Sequence, residues 1–250
     1  MLLFFLALLG LAIGSFLNVV VLRLKSGEPL GGRSHCPGCG KLIAWYHNLP
    51  LVSFVALRGR CASCRQPISW QYPLVEFVCA ALFVLAGYLT PLGDWLMLLT
   101  SLVFVSYGLA LFVFDIKFQL LPDQLTLSGA AALLVLNLLR GVPLASLAVG
   151  ALAAAGLFGV QYLMSRGRWI GAGDVRLGLF MGLGLGWPQV AVAVVLAYWS
   201  GAIVGLTLVV WGRSSLKSHL PFGAFLVGAS LVAWWWGDQL LGWYLRTIGA

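Results

Sequence analysis

Long apolar runs broken by short polar intervals make up most of this chain. They fall at about 1–22, 74–90, 95–115, 125–139, 144–164, 175–187, 189–211 and 222–243, and none alternates as a β-barrel strand would. Runs of this kind predict helices, which satisfy their own backbone hydrogen bonds where lipid is the solvent. Crossing hydrocarbon takes about 20 residues, so the runs at 125–139 and 175–187 are short for the task. Turn chemistry separates the runs, as in TPLGD at 90–94, RGVP at 140–143 and GWP at 186–188. The pattern predicts an all-α polytopic membrane protein with about eight transmembrane helices. It divides into a first span at 1–22, a polar segment at 23–73 and a membrane domain at 74–250.

Composition agrees: 61% of residues are hydrophobic, 9% are charged, and the mean hydropathy is +0.99. A soluble domain of this size needs more polar surface than that. Charge then orients the spans. With the amino terminus outside, the inner segments hold Arg23, Lys25, Arg33, Lys41, Arg58, Arg60, Arg65, Lys117, Arg166, Arg168, Arg176, Arg213 and Lys217, leaving Arg140 and Arg246 outside. That bias is a positive-inside signal, and it puts the 23–73 segment in the cytoplasm. Residues 1–22 read as a retained span rather than a signal peptide, because Arg23 and Lys25 follow the apolar stretch and no basic residue precedes it. The net charge of +8 is mostly this topology signal, and no soluble basic face suggests nucleic acid as a partner.

The polar segment carries Cys36 and Cys39 in CPGC and Cys61 and Cys64 in CASC. Two C-x-x-C turns at this spacing can present four thiolates to one Zn²⁺. A pair of disulfides and a redox role are the alternatives, and the reducing cytoplasm disfavours the bridges. Four Cys ligands would close the metal's shell, which makes the zinc structural. Cys79, within an apolar run, reads as a buried thiol, and His35 is a substitute ligand at best.

The chain has only seven acidic residues, and two of them stand at span ends: Asp115 and Asp174. Ionisable groups at membrane depth point to function. Asp174, after Gly171 and Gly173, and Asp123, in LLPDQLT, also suit helix caps. Asp115 suits none, because the end of its helix disfavours an anion by about 0.3–1 kcal/mol. If the fold joins Asp115 to Asp174, the two form a pair able to share one proton, and the dipoles make Asp115 the member expected to hold it. Gly171 and Gly173 admit two readings, close approach of a substrate backbone and tight helix packing. Gly10 and Gly14 read as a packing face, with Ser15 and Asn18 bonding across helices.

Seven ordered motifs carry a further reading: GSFLNVVVLRL at 14–24, RSHCPGCGKLIAWYHNLPLVSF at 33–54, LRGRCASC at 57–64, ISWQYPLVE at 68–76, FDIKFQLLPDQLT at 114–126, GAGDVRLG at 171–178 and LPFGAF at 220–225. In these the chain resembles the type IV prepilin peptidases, bacterial members of the GxGD intramembrane aspartyl proteases. The resemblance implies that Asp115 and Asp174 are the catalytic pair and that Cys36, Cys39, Cys61 and Cys64 bind zinc. Gly171, Gly173, Asp123 and Pro221 are implied to shape the site. Prepilins and pseudopilins are the implied substrates, cut after a glycine at the cytoplasmic face of the bacterial inner membrane. Methylation of the new amino terminus from S-adenosylmethionine is implied as a second activity, with no motif here for the donor. Ala224 departs from the proline that relatives often carry, which bears on the local helix break. Two rival readings use the same residues: a zinc-stapled membrane scaffold, and a small proton-coupled transporter.

Overall fold

The computed structural model describes residues 1–211 and 220–249. Arg213 and Lys217, counted above among the inner charges, lie outside the described residues. Those residues form helices, one short 3-10 turn at Trp45–His47 and two isolated β-bridges. The helices are α1 (Leu2–Ser26), α2 (Val52–Ala56), α3 (Gln71–Leu89), α4 (Trp95–Phe118), α5 (Asp123–Leu139), α6 (Leu144–Ser165), α7 (Ala172–Leu185), α8 (Gln189–Val210) and α9 (Phe222–Ile248). Every predicted apolar run coincides with one helix, and α2 is extra, inside the polar segment. Among the described residues five helices, α1, α3, α4, α6 and α8, are long and apolar enough to cross a membrane. At about 1.5 Å per residue, α5 and α7 reach only about 25 and 21 Å, short of a full hydrocarbon core.

The chain forms two compact units, Met1–Asp94 and Trp95–Ala250. In the first, α1 packs on α3 through glycine. A Cβ on Gly10 would stand 2.5 Å from the Ala80 Cα, and one on Gly14 would stand 2.7 Å from the Glu76 Cα. Between apolar helices in lipid, close van der Waals contact has to supply the attraction that water supplies elsewhere. The polar groups of the seam complete it. The Asn18 amide donates to the Tyr72 carbonyl (3.3 Å) and accepts from Gln71 (3.1 Å), while buried Glu76 takes the Leu51 N–H (2.9 Å) and the Ser15 hydroxyl. These are the cross-helix bonds expected of Ser15 and Asn18. At the end of α1 the buried Arg23 guanidinium donates to the carbonyls of Pro29, Leu30, Gly31, Gly32 and Arg33, so the following loop wraps around it.

In the second unit the seam between α6 and α7 is the tightest. A Cβ on Gly182 would meet the backbone of Ala151 at 2.4 Å, and one on Gly178 would lie 3.0 Å from the Ala154 carbonyl carbon. On the other side of α7, Phe180 stacks on Phe104 of α4 (5.5 Å), and Phe104, Leu133, Leu147, Phe180 and Met181 are fully buried. A 14-residue helix with Asp174 in its first turn is thus gripped along its length. Gly182→Ala is therefore expected to push α6 and α7 apart, since neither backbone can yield, and to destabilise the unit by several kcal/mol, the overpacking range being about 1–3 and sometimes more. Unfolding in detergent, followed by circular dichroism, checks this, and a Gly182→Ala variant as stable as the parent would refute the close packing.

Candidate active site and metal centre

The metal centre lies within the first unit. Its two cysteine turns are built alike. Cys36 N–H donates to Lys41 O (2.9 Å) and Gly40 N–H returns to Cys36 O (2.8 Å), while Cys61 N–H donates to Gln66 O (2.9 Å) and Arg65 N–H returns to Cys61 O (3.0 Å). The bridges His35–Leu42 and Arg60–Pro67 flank the turns at the same offsets. Both turns put the residue after the second cysteine in a left-handed conformation, Gly40 at φ 69° and Arg65 at φ 61°. This geometry frees each pair of thiols to face one point. The four sulfurs lie within 4.8 Å of one another, with Cys36 Sγ and Cys64 Sγ 3.9 Å apart. Zinc with bonds of about 2.3 Å needs tetrahedral edges of about 3.8 Å, whereas a disulfide is about 2.05 Å. The donor set thus fits structural zinc, and His35 stands outside it.

Thiol electrostatics favour the cation as well. The N–H groups of Cys64 and Ser63 hold the Cys61 thiol down to about 6. Cys64 receives the Gln66 N–H, which lowers it, yet loss of solvent and the neighbouring sulfurs push it up to about 11. One thiolate forms easily and the next meets its charge. A dication at the centre would relieve that repulsion and deprotonate the set.

The aspartates lie in the second unit. Asp115 is in the last turn of α4 and is 6% exposed. Its Oδ2 accepts the Ala224 N–H at 2.8 Å, and the Gly223 N–H is directed at the same carboxylate. A Cβ on Gly223 would stand 2.9 Å from that Oδ2, so any larger residue there would have to displace the carboxylate. Asp174, half-buried, is the third residue of α7, and its Oδ2 accepts the Gly171 N–H at 3.0 Å. Leu121, in the turn between α4 and α5, joins the two places. Its side chain would lie 3.0 Å from a Cβ on Gly173 and 3.3 Å from one on Gly223. The end of α4 and the starts of α7 and α9 meet there, and the two carboxylates are within electrostatic reach of one another.

This arrangement corrects part of the dipole argument. Asp115 does end α4, but it also faces the first turn of α9, whose N–H groups favour an anion. Both aspartates therefore sit at a helix start, and the expectation that Asp115 holds the shared proton loses its basis. Asp123 is corrected too. It is the first residue of α5 rather than a cap, and it pairs with Arg176 of α7. Gly171 is extended (φ −79°, ψ 157°) and supplies the N–H for Asp174, while Gly173 packs on Leu121. Pro221 directly precedes α9 as its cap residue.

Gly223 and the Ala224 N–H were not identifiable as neighbours of Asp115 from sequence, because 109 residues separate the bonded pair. The departure at Ala224 therefore touches the site directly, since proline there would have no N–H to give. Tyr198 was also missed. Its hydroxyl donates to Gln161 Oε1 (2.8 Å), its ring packs on Phe222 (5.2 Å), and it lies within electrostatic reach of Asp174. A lone Gln in the apolar α6 was the available signal. Two carboxylates brought to one place in a fold can divide the work of a base and an acid at a reacting group.

Comparison with known proteins covers most of the chain. Residues 8–90 match the bacterial peptidase A24 N-terminal domain, and residues 102–206 match the type IV leader peptidase family. The chain is 36% identical to a prepilin leader peptidase/N-methyltransferase of Aeromonas salmonicida, over 96% of this chain and 93% of the relative. Proteins of the same description from Klebsiella pneumoniae (43%, over 77% and 89%) and Legionella pneumophila (32%, over 95% and 92%) are also similar. No solved structure matches.

Proposed function

Because the chain belongs to the type IV leader peptidase family, we propose that it removes the leader peptide from prepilins and pseudopilins, with Asp115 and Asp174 as its catalytic pair. The observation that carries this reading is the convergence of two carboxylates, from α4 and from α7, at the start of α9. A scaffold would leave that convergence without a use, and the family match is to peptidases rather than to proton-coupled carriers.

The mechanism follows from the pair. One carboxylate takes a proton from a water held between them as that water attacks the scissile carbonyl. The other, protonated, donates to the carbonyl oxygen; as the adduct collapses and the C–N bond breaks, the first returns its proton to the leaving amine and the second regains its own from the hydroxyl, so no covalent intermediate is required. The Ala224 N–H fixes the Asp115 carboxylate and the Gly171 N–H fixes that of Asp174, so each keeps one oxygen for the reaction. The relatives' second description, N-methyltransferase, supports methylation of the new amino terminus, for which S-adenosylmethionine is the expected donor. No residue set is assigned to hold it. Glu76, the buried carboxylate of the first unit, is already taken up by Leu51 and Ser15. Cys36, Cys39, Cys61 and Cys64 would hold zinc, which with four thiolate ligands would support folding and take no part in the chemistry.

Incubation of the purified protein with a leader-bearing prepilin tests the reading, and a protein that leaves the substrate intact under conditions where a relative cleaves it would overturn it. The proposed setting is the bacterial inner membrane, with eight spans, the amino terminus outside, and the zinc-bearing segment and both aspartates on the cytoplasmic side. Thiol labelling of single cysteines is then expected to mark positions 93 and 141 from outside and positions 59 and 167 from inside. Labelling of position 141 from the cytoplasm would show that a short helix does not cross, and the two aspartates would no longer share a face.

A further inference from the structure

Helix α2 has five residues, too few to be stable by itself, and it turns apolar side chains outward. Val52 and Val55 are 62% and 74% exposed, although Ser53 on the other side is buried, bonded to Leu49 N–H and Tyr46 O. Phe54 sets its position by packing on Trp70, ring centroids 4.9 Å apart. Trp70 caps α3 and is 75% exposed, as are Leu74 (61%) and Phe77 (60%) four and seven residues on. That spacing puts Trp70, Leu74 and Phe77 on one exposed stripe of a helix apolar enough to cross a membrane, where the stripe would meet lipid. The Phe54–Trp70 contact holds α2 beside the start of α3, at the level where α3 would enter a bilayer, with Val52 and Val55 left exposed there. A second exposed indole, Trp45, belongs to the same segment, and indoles favour that level.

Charge completes the pattern. Between Glu28 and Glu76 there is no acidic residue, while Arg33, Lys41, Arg58, Arg60 and Arg65 are all present and exposed. Arg58 and Arg60 closely follow α2, and Arg65 stands in the second cysteine turn. Even with the net charge of about −2 that four thiolates leave on a bound zinc, the segment stays positive by about three charges (five less two).

We propose that α2, with Trp45 and Trp70, docks on the anionic headgroup layer of the same bilayer that α1 and α3 cross. Val52 and Val55 reach the acyl boundary, and Arg58, Arg60 and Arg65 lie against the lipid phosphates. The zinc-bearing segment is then a membrane-surface element as well as a loop between spans. This reading rests on α1 and α3 crossing the bilayer and is independent of the proteolytic reading.

The test uses the full chain in vesicles of phosphatidylcholine with and without phosphatidylglycerol, carrying a coumarin amino acid at Val55 or, as a reference, at the exposed Ala62. Aqueous iodide is expected to quench the label at position 55 severalfold less than the label at position 62, and nitroxide lipids labelled near the headgroup should quench it strongly. The shielding should be greater with phosphatidylglycerol. Replacing Arg58, Arg60 and Arg65 together by Gln should lessen it in those vesicles. Equal iodide access at both positions would overturn the proposal, and so would shielding indifferent to lipid charge. Shielding that arises only on adding a prepilin, or only as protein density rises, would assign the patch to substrate or to a second copy and would equally overturn it.

Discussion

Asp115→Asn and Asp174→Asn are each expected to stop prepilin cleavage in a protein that keeps its zinc and its helix content. Asparagine matches aspartate in shape, and its carbonyl oxygen can still accept the N–H of Ala224 or of Gly171, so the meeting of α4, α7 and α9 should survive. What is lost is the ability to take up and release a proton, worth roughly 10²- to 10⁴-fold for each positioned group. Asp123→Asn is the control. It breaks the ion pair with Arg176, whose two side chains are 55% and 34% exposed, at a cost of about 0–1 kcal/mol, and activity should remain measurable. Cleavage of a purified prepilin, scored by the shift of its mass, reads all three. An inactive Asp123→Asn variant beside an active Asp115→Asn variant would mean that Asp174 has a different partner.

Loss of the metal should have the other large effect, on folding. Purified protein is expected to hold one zinc per chain by elemental analysis. Replacing Cys61 and Cys64 together by Ser removes two of the four ligands, and with them folding free energy on the order of 10 kcal/mol for the segment they close. That segment contributes few buried apolar side chains, so little else can hold it. The double variant should accumulate poorly and should be cut by added protease between α1 and α3. The aspartates of whatever protein remains folded should still cleave prepilin, because a closed Cys₄ shell has no place in the reaction. Zinc-free protein with two disulfides, found by mass spectrometry after purification without chelators, would remove both the metal site and the cytoplasmic placement of the segment.

The short turns between helices, the helices and the two cysteine pairs were all legible along the chain, because each depends on neighbours in sequence. Apolar runs of about 20 residues allow little but helices in lipid. A C-x-x-C turn carries its own hydrogen bonds, as the matched pattern at Cys36 and Cys61 shows. The roles at the chain's close contacts were harder to read. Glycine in α1 and α7 is one letter in either case, but at Gly14 and Gly182 it admits another helix, whereas Gly171 serves through its N–H.

The order of residues along the chain is enough to identify a helical membrane protein, a four-thiol metal site and the two acidic residues hardest to explain as structure. That Asp115 faces the start of α9, that Gly223 leaves room for its carboxylate and that Asp123 is tied to Arg176 emerge from the folded chain alone. The reason is one of range. Hydropathy and turn chemistry act over a few residues, and the sequence records them directly. The electrostatic setting of a carboxylate depends on which helix end the fold brings beside it, here from 109 residues away.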